Sequence, residues 1–319
     1  MSRAGAELVE IARSAAVISE SSFALGGATH QAPSREGKPQ LLEELCNALY
    51  GHYSRRPARG RAPVAPANSR RFLLRLSSAN SGNGTWEPGW RVAGREEDGR
   101  VKVTRDGLTL WAQPEQIAPL TAEGMVRLRV GKERRAMVPG FYLAIGDAAE
   151  PEKAPAVITR LYWHLAPGGA ERAVALVTTT LNRRAVPFHF KVVSDPGNYG
   201  RADSAVLYLD RAHFQRERDA LAAVEAELRP VLLAGVPRLV KQLGHGTGLA
   251  EDPRSHESFG EHRCRLIGAA LWQAFREGRA SPDDRVAAVC ARFAAEGLDP
   301  DRPYLATGST DDYGPEAER

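Results

Sequence analysis

The chain has 319 residues, 43% apolar content and a formal net charge of +4, which is enough for one large domain or two modest ones with a real core. Its three cysteines, Cys46, Cys264 and Cys290, form no CxxC pair, which argues against a disulfide framework or a cysteine zinc site. No apolar run approaches the length of a membrane span, and the N-terminus lacks the pattern of a cleaved signal. We therefore expect a cytoplasmic protein that neither crosses a membrane nor is exported.

The first 54 residues are predicted to form an N-terminal helical segment. Helical spacing covers residues 1 to 20 and 39 to 53, and the stretch between them is predicted to be a loop. Residues 55 to 71, RRPARGRAPVAPANSRR, are rich in proline and arginine, as is typical of a linker. This stretch is the best candidate for a domain boundary.

Residues 72 to 305 are predicted to form one domain, whose strands cluster at 72 to 210. Alternating patterns mark FLLRLSS and VKVTRDGLTLWA, and an Asp-Gly pair in the second supplies a turn. Between them, SANSGNGTWEPGWRV is predicted to be a glycine-rich loop that carries Trp86 and Trp90. Further strands are predicted at MVPGFYLAIG, ITRLYWHLA, FHFKVV and SAVLYLD.

Helices are predicted to flank these strands. The run AERAVALVTTTLNRR fits a helix or a strand, and we favour a helix. Helices are also predicted over 212 to 233, 257 to 277 and 282 to 296, the last with Ser281 as its N-cap. Residues 306 to 319 are predicted to be a flexible tail. Strands in the middle with helices around them predict an α+β fold with a largely antiparallel sheet flanked by helices.

Two of the predicted strands have a polar face. In FHFKVV, His189 and Lys191 lie opposite the phenylalanines, because side chains alternate along a strand. In ITRLYWHLA, Arg160, Tyr162 and His164 share one face in the same way. If the two strands are neighbours, these side chains form one floor. An ordinary solvent-facing side explains the pattern equally well, and a strand histidine is more often a hydrogen-bonded structural residue than a catalyst.

A third signal is GHGTGLAEDPRSHESFGEHR, residues 244 to 263. Its GxGxG spacing resembles loops that cradle phosphates, although no P-loop lysine and no strand-to-helix context accompany it. The helix that follows carries Arg263 within its apolar stripe, and a buried guanidinium group needs an anionic partner. That partner is either a carboxylate, such as Asp203 or Glu251, or a phosphate.

Other catalytic motifs do not occur in the sequence. The eight histidines show no HxxxH or HExxH spacing, and there is no GxSxG elbow. What remains is a set of lysine, histidine and several arginines. Such a set suits removal of a proton beside a carbonyl group with departure of an anion, without a metal or a cofactor.

Several separated blocks of this sequence resemble one family. SANSGNGTWEPGW, RLYWHL, PFHFKVVSDPGNYGRADSAVLYL and GLAEDPRSHESFG together resemble the HopA-type effector family of plant pathogens and its relatives in class V lanthipeptide and thioamitide biosynthesis. Effector members are implicated in plant immunity. Biosynthetic members are assigned as phosphoserine/phosphothreonine lyases that act on a ribosomal precursor peptide after a separate kinase. The resemblance implies that residues 72 to 305 are a lyase domain that forms dehydroalanine or dehydrobutyrine.

Two short blocks also look like strands of phosphothreonine lyases and of the lyase domains of class III lanthipeptide synthetases. LYWHLA resembles the strand with the general-acid histidine, and FHFKV resembles the strand with the general-base lysine. By this resemblance His164 is the acid and Lys191 the base, which must act in its uncharged form. The resemblance implies that His189, Arg254 and Arg263 contact the phosphate, and Arg160 and Arg201 are further candidates for phosphate or substrate binding.

The resemblance also implies partners. These are a phosphorylated precursor peptide as substrate and a partner kinase, with no cofactor, metal, nucleic acid or membrane. The N-terminal 70 residues match no family, and their candidate roles are to recognise a leader peptide, to dock the kinase or to cap the sheet. Two other functions stay open: a non-catalytic, effector-like phosphopeptide-binding protein that uses the same arginines, and a nucleic-acid-binding domain that uses the arginines of the linker.

Overall fold

The computed structural model describes residues 1–35, 38–54, 66–119, 124–135, 138–149, 157–253, 255 and 257–316. The helices are α1 (Arg3–Ser14), α2 (Leu41–Tyr53), α3 (Pro66–Ala79), α4 (Ala170–Arg183), α5 (Arg211–Arg216), α6 (Arg218–Leu228), α7 (Phe259–Arg276) and α8 (Pro282–Ala295). The strands are β1 (Ala16–Ser19), β2 (Ser22–Leu25), β3 (Ala28–Gln31), β4 (Ser34–Arg35), β5 (Lys38–Pro39), β6 (Thr85–Arg95), β7 (Val101–Arg105), β8 (Leu108–Ala112), β9 (Ile117–Pro119), β10 (Met125–Val130), β11 (Glu133–Arg134), β12 (Phe141–Ile145), β13 (Ile158–Trp163), β14 (His189–Val193), β15 (Ala205–Asp210), β16 (Lys241–Gly244) and β17 (Thr247–Glu251). Within the described ranges, no helix is both long and apolar enough to cross a membrane.

The largest sheet, called the central sheet below, is built from strands between residues 133 and 251. Its order is β11-β12-β14-β15-β13-β17-β16, and every neighbouring pair is antiparallel. The strands predicted at ITRLYWHLA, FHFKVV and SAVLYLD all belong to it. The prediction of an α+β fold with a largely antiparallel sheet is confirmed.

One face of the central sheet is apolar and packs against helices. Phe190 and Trp163 are fully buried, and their rings meet edge to face with centroids 5.9 Å apart. Helix α4 packs against β14, with Val177 and Leu181 in its buried stripe. The ambiguous run AERAVALVTTTLNRR is therefore a helix, as predicted, because its apolar residues recur at helical spacing and face the sheet.

The opposite face of the central sheet is covered in part by α2 and α7. These two helices approach closely because Gly260 has no side chain: a Cβ at this position would lie 2.4 Å from Cε1 of Tyr53. The hydroxyl group of Tyr53 lies 3.5 Å from that of Tyr162 on β13, which brings α2 onto the sheet. The N-terminal segment therefore forms part of the layer that covers this face, while α1 packs on α8.

The N-terminal segment is not wholly helical, which corrects the sequence prediction. Helix α1 ends at Ser14, and β1, β2 and β3 form an antiparallel sheet over much of the predicted loop. Phe23 and Leu25 of β2 are buried, and Gly26 and Gly27 turn the chain with φ angles of 60° and 81°. In strands of only four residues, the alternation of apolar and polar side chains is too short to distinguish a strand from a loop in the sequence.

The segment before the first large strand is also different from the prediction. FLLRLSS lies in α3 instead of a strand, with Phe72 and Leu76 buried one helical turn apart. Because α3 begins at Pro66, the last part of the predicted linker is helical, and residues 55–65 lie outside the described residues. An apolar run of this length fits both the spacing of a helix and the alternation of a strand. The tertiary contacts decide between the two.

Strands β6 to β10 form a separate five-stranded sheet, called the small sheet below, in the order β8-β7-β6-β10-β9. It has its own core, whose largest member is Trp90. Most of the predicted glycine-rich loop is strand β6, in which Pro88 and Gly89 coincide with a register shift and hide the alternation. The predicted turn between β7 and β8 is confirmed, since Asp106 and Gly107 have φ angles of 50° and 79°.

The helix predicted over 212 to 233 is divided at Glu217, whose buried carboxylate binds Arg184 and Arg216. The N-cap predicted at Ser281 is confirmed, because its side chain accepts a hydrogen bond from the amide of Asp284.

The last described residues are packed rather than flexible, which corrects the prediction for 306 to 319 as far as residue 316. Tyr313 is only 3% exposed. The fully buried carboxylate of Glu251 accepts hydrogen bonds from the amide of Ala306 and from the hydroxyl groups of Ser309 and Tyr313. The polar residues of this segment suggest a mobile tail in the sequence, but they bind a buried carboxylate that is distant along the chain.

Candidate active site

The polar residues predicted on two strands lie on one face of the central sheet, but the two strands are not neighbours. Strand β15 lies between β13 and β14, and the register aligns Arg160 with Tyr208 and Tyr208 with His189. Adjacent strands are about 4.8 Å apart, so the backbones at Arg160 and His189 are separated by roughly 10 Å with Tyr208 between them. Lys191 lies two residues further along β14, on the same face of the sheet.

Lys191 is half-buried, and its ammonium group lies over two aromatic rings. Its Nζ atom is 4.6 Å from the ring centroid of Phe141 and 5.7 Å from that of Tyr208. The faces of such rings attract a cation. Among the residues that the structure describes, Lys191 has no carboxylate partner and no hydrogen-bond acceptor. The rings therefore fix its position and leave its nitrogen for a substrate.

Arg201 reaches the same aromatic ring from the loop after β14. Its Cζ atom is 5.0 Å from the ring centroid of Phe141. Its guanidinium group donates to both carboxylate oxygens of Asp203, and Nη2 lies 3.3 Å from the hydroxyl oxygen of Tyr50 on α2. Burial would lower the pKa of Arg201, but the hydrogen bond and charge of Asp203 outweigh burial and raise it above its usual value. Arg201 is a fixed cation beside Lys191.

Arg160 is fixed in a similar way at the other side of the face. Its Nε and Nη2 atoms donate to one carboxylate oxygen of Asp252, at 2.8 and 2.5 Å, and its Cζ lies 5.1 Å from the ring centroid of Tyr208. Burial would lower the pKa of Arg160, but Tyr208, Tyr162 and Asp252 outweigh it and raise the pKa. Its Nη1 atom makes no hydrogen bond to a described residue, so one nitrogen remains for an anion.

His164 lies just beyond the end of β13. Its amide donates to the carbonyl oxygen of Gly246 at 2.8 Å, and Nδ1 is 2.9 Å from the carbonyl oxygen of Ala234. A carbonyl oxygen only accepts, so Nδ1 carries the hydrogen and Nε2 is the atom suited to proton transfer. Alternation places His164 on the same face as Lys191, and sheet spacings separate their Cα atoms by roughly 12 Å. That distance can be spanned by the two side chains with a substrate between them.

Arg263 is closed off from any ligand. It is 0% exposed, and its Nε and Nη2 atoms donate to the carbonyl oxygens of Pro303 and Leu305, at 2.8 and 2.9 Å. Its Nη1 lies 2.8 Å from Nδ1 of His262. Burial lowers the pKa of Arg263 to about 10, and burial together with Arg263 lowers the pKa of His262 to about 4. Arg263 ties the C-terminal segment to α7.

Neither carboxylate considered as a partner binds Arg263. Asp203 and Glu251 bind Arg201 and Arg211 instead. The sequence argument that a guanidinium group on an apolar stripe needs an anion is wrong here, because backbone carbonyl oxygens satisfy its hydrogen bonds.

The glycine-rich block GHGTGLAE, residues 244 to 251, belongs to the hairpin of β16 and β17, so its resemblance to a phosphate-cradling loop is wrong. Gly246 has a φ angle of 67°, and a Cβ there would lie 2.3 Å from the carbonyl oxygen of Leu233. A Cβ at Gly248 would lie 2.9 Å from Val240. The glycines serve the turn and the packing. Arg254 lies outside the described residues.

Sequence reasoning missed the residues that hold the cations in place. Tyr208 gave a signal that could have been used, since it is the one polar residue among apolar neighbours in AVLYL. Phe141 and Tyr50 gave none, because an aromatic side chain in a strand or helix is typical of a core. We call the basic side chains and the two rings that position them the basic floor. The basic floor consists of Arg160, His189, Lys191, Arg201, Phe141 and Tyr208.

Comparison with known proteins places the central sheet in a family. Residues 132–305 match the model of the HopA1 effector protein family. Two similar solved structures are effector proteins from Pseudomonas syringae. The protein from pv. tomato strain DC3000 is 18% identical, with a TM-score of 0.49 over 83% of this chain and 95% of that chain. The protein from pv. syringae strain 61 is 18% identical, with a TM-score of 0.46 over 83% of this chain and 94% of that chain.

No curated protein matches the sequence. The family match covers more than half of the chain and contains every strand of the central sheet. The chain therefore belongs to the HopA1 effector protein family.

Proposed function

We propose that the protein is a phosphoserine/phosphothreonine lyase that forms dehydroalanine or dehydrobutyrine in a peptide. The observation that carries this proposal is the environment of Lys191. It is a half-buried lysine without an ion pair in the described part of the chain, on the same face as two arginines that carboxylates fix. A lysine positioned by aromatic rings beside an anion site fits proton removal from a bound phosphorylated residue.

Phosphate binding is the first step of the proposed reaction. Arg160 and Arg201 are held by Asp252 and Asp203 before any ligand arrives, so little side-chain freedom is lost on binding. Guanidinium groups bind phosphate oxygens through charge-assisted hydrogen bonds. His189 is aligned with Arg160 across the sheet, with Tyr208 between them, and is the third contact of the phosphate in this proposal.

Proton transfer follows. The ammonium group of Lys191 first releases a proton to water. The resulting amine takes the proton from Cα of the phosphorylated residue, and the electron pair of that bond forms the double bond between Cα and Cβ. The bond between Cβ and the phosphate oxygen breaks, and His164 gives the proton on Nε2 to the departing oxygen. Lys191 ends as an ammonium group and His164 as a neutral imidazole, and exchange with water restores both. Each such general acid or base contributes about 10²- to 10⁴-fold to a rate.

The substrate in this proposal is a ribosomal precursor peptide in the cytoplasm. A lyase of this kind consumes a phosphate ester of serine or threonine, so a kinase must supply its substrate. Lanthipeptide and thioamitide biosynthesis are the settings that the sequence resemblance implies.

Mass spectrometry tests this function. Wild-type protein incubated with a phosphothreonine peptide, or with a precursor and its kinase, is expected to remove phosphoric acid. Undiminished phosphopeptide mass, together with tight binding of that peptide, would instead identify the non-catalytic phosphopeptide-binding protein. Joint replacement of Lys191 and His164 by alanine separates the two functions as well. A lyase is expected to lose elimination and keep phosphopeptide binding, whereas a binding protein is expected to keep its whole function.

A further inference from the structure

The outer face of the small sheet carries a group of basic side chains. Arg91, Arg127 and Arg129 are exposed and Lys102 is half-buried. Within the described part of the chain, none of these four side chains forms an ion pair. These side chains point away from the core of the small sheet. Their neighbours along β7 and β10 are buried, and so is Trp90, which precedes Arg91.

Two tryptophans lie beside these cations. The strand register pairs Arg129 with Trp86 and Lys102 with Trp111. The guanidinium carbon of Arg129 is 5.9 Å from the ring centroid of Trp86. Trp111 is 50% exposed, and its Nε1–H group donates to a carboxylate oxygen of Glu96 at 2.9 Å. We call this surface the basic-aromatic face. Its residues are Trp86, Arg91, Lys102, Trp111, Arg127 and Arg129.

The charge pattern selects a short anionic partner. Unpaired exposed cations attract carboxylates, and tryptophan rings add apolar contact area. Glu96 and Glu97 directly follow the end of β6 and confine the positive surface, whereas Asp98 is paired with Arg100. A nucleic-acid strand that ran past this edge would meet like charge, whereas a short acidic stretch of peptide with apolar side chains would not.

We propose that the basic-aromatic face binds an acidic segment of the same peptide whose phosphorylated residue reaches Lys191. This proposal rests on the proposed lyase function. The small sheet is joined closely to the central sheet, since β10 ends at Val130 and β11 begins at Glu133. Arg134 of β11 also lies 3.7 Å from a carboxylate oxygen of Glu87 on β6. A peptide held on the small sheet is therefore presented to the basic floor at high effective concentration.

The test uses the full chain and two probes. One probe is a phosphothreonine peptide, and the other is the same peptide joined by a glycine-serine linker to a segment of glutamate, leucine and tryptophan. The extension is expected to lower KM about tenfold, and the gain is expected to shrink as salt is raised. Combined Arg127→Glu and Arg129→Glu substitution should remove that gain without changing kcat on the short peptide.

A matched control is combined Arg183→Glu and Arg276→Glu, since both arginines are exposed and form no ion pair with a described residue. This control should keep the gain. A second variant, Arg127→Gln with Arg129→Gln, should lose part of it without adding like charge.

Fluorescence anisotropy of the labelled acidic segment alone separates this proposal from the lyase function. Binding that the charge-reversed variant loses supports the basic-aromatic face even where no elimination occurs. A different outcome would be elimination by wild-type protein with equal KM for both peptides and no binding of the segment. That outcome would refute peptide binding by the basic-aromatic face and leave the lyase function intact. Tighter binding of labelled oligodeoxythymidine than of the acidic segment also overturns the proposal.

Discussion

Replacement of Phe141 by leucine removes the ring that Lys191 and Arg201 share. Their cationic groups lie 4.6 and 5.0 Å from its centroid, within the reach of about 6 Å for a cation–π interaction. Each interaction contributes about 0.5 to 1 kcal/mol at an exposed site and about 2 kcal/mol when desolvated. Since both groups are partly buried, we expect a total loss of about 2 kcal/mol of positioning energy, which lowers kcat/KM for phosphopeptide elimination about 30-fold.

The control for this substitution is Phe190→Leu. Phe190 lies on the opposite face of the central sheet and contacts Trp163. Both substitutions remove a similar apolar volume, so each should lower the free energy of unfolding in urea by about 1 to 2 kcal/mol. Only Phe141→Leu should lower kcat/KM per folded molecule, and Phe141→Tyr, which keeps the ring, should retain most of it. An equal loss of kcat/KM in the two leucine variants would refute the positioning role of Phe141.

Three further predictions concern stability. Glu251→Ala leaves several buried donors unpaired, so urea unfolding should show a loss of about 3 to 5 kcal/mol, and a loss below 1 kcal/mol would contradict the packed C-terminal segment. Gly260→Ala places a Cβ 2.4 Å from a ring of α2 and should cost about 1 to 3 kcal/mol, whereas Gly168→Ala, with nothing within 4 Å, should stay within about 0.5 kcal/mol of wild type. Burial would raise the pKa of the Asp311 carboxyl, but hydrogen bonds from Lys241 and a tyrosine outweigh it and lower the pKa. The resulting stability is present above the unfolded pKa of about 4 and is lost as pH falls through the folded pKa. The free energy of unfolding should therefore drop more steeply on acidification in wild type than in Asp311→Asn, and parallel pH profiles would contradict the ion pair.

The strands of the central sheet and the polar faces of β13 and β14 could be predicted from the sequence. Both features follow from alternation, which is a local property of a strand. The N-cap at Ser281 is also local, since a serine before proline suffices to predict it. For α4 the spacing favours a helix without excluding a strand, and the packing of α4 against β14 decides for the helix.

The assembly of the site could not be predicted, because it depends on contacts between distant residues. Nothing local reveals that β15 inserts Tyr208 between Arg160 and His189. Asp252 lies 92 positions after Arg160, and Tyr50 reaches Arg201 from helix α2, 151 positions earlier in the chain. Such partners become visible only when strand order and helix packing are known.

The proposed role of Lys191 is tested by the rate at which Lys191→Ala removes phosphoric acid from a phosphothreonine peptide, followed by mass spectrometry beside wild type. Lys102→Ala is the control, since Lys102 is also a half-buried strand lysine but lies outside the basic floor, and this phosphothreonine peptide carries no acidic segment for the basic-aromatic face. We predict that Lys191→Ala loses at least about 10²-fold in rate, binds the phosphopeptide within a few-fold of wild type, and that Lys102→Ala keeps the full rate. Equal elimination by wild type and Lys191→Ala would contradict the assignment of Lys191 as the base.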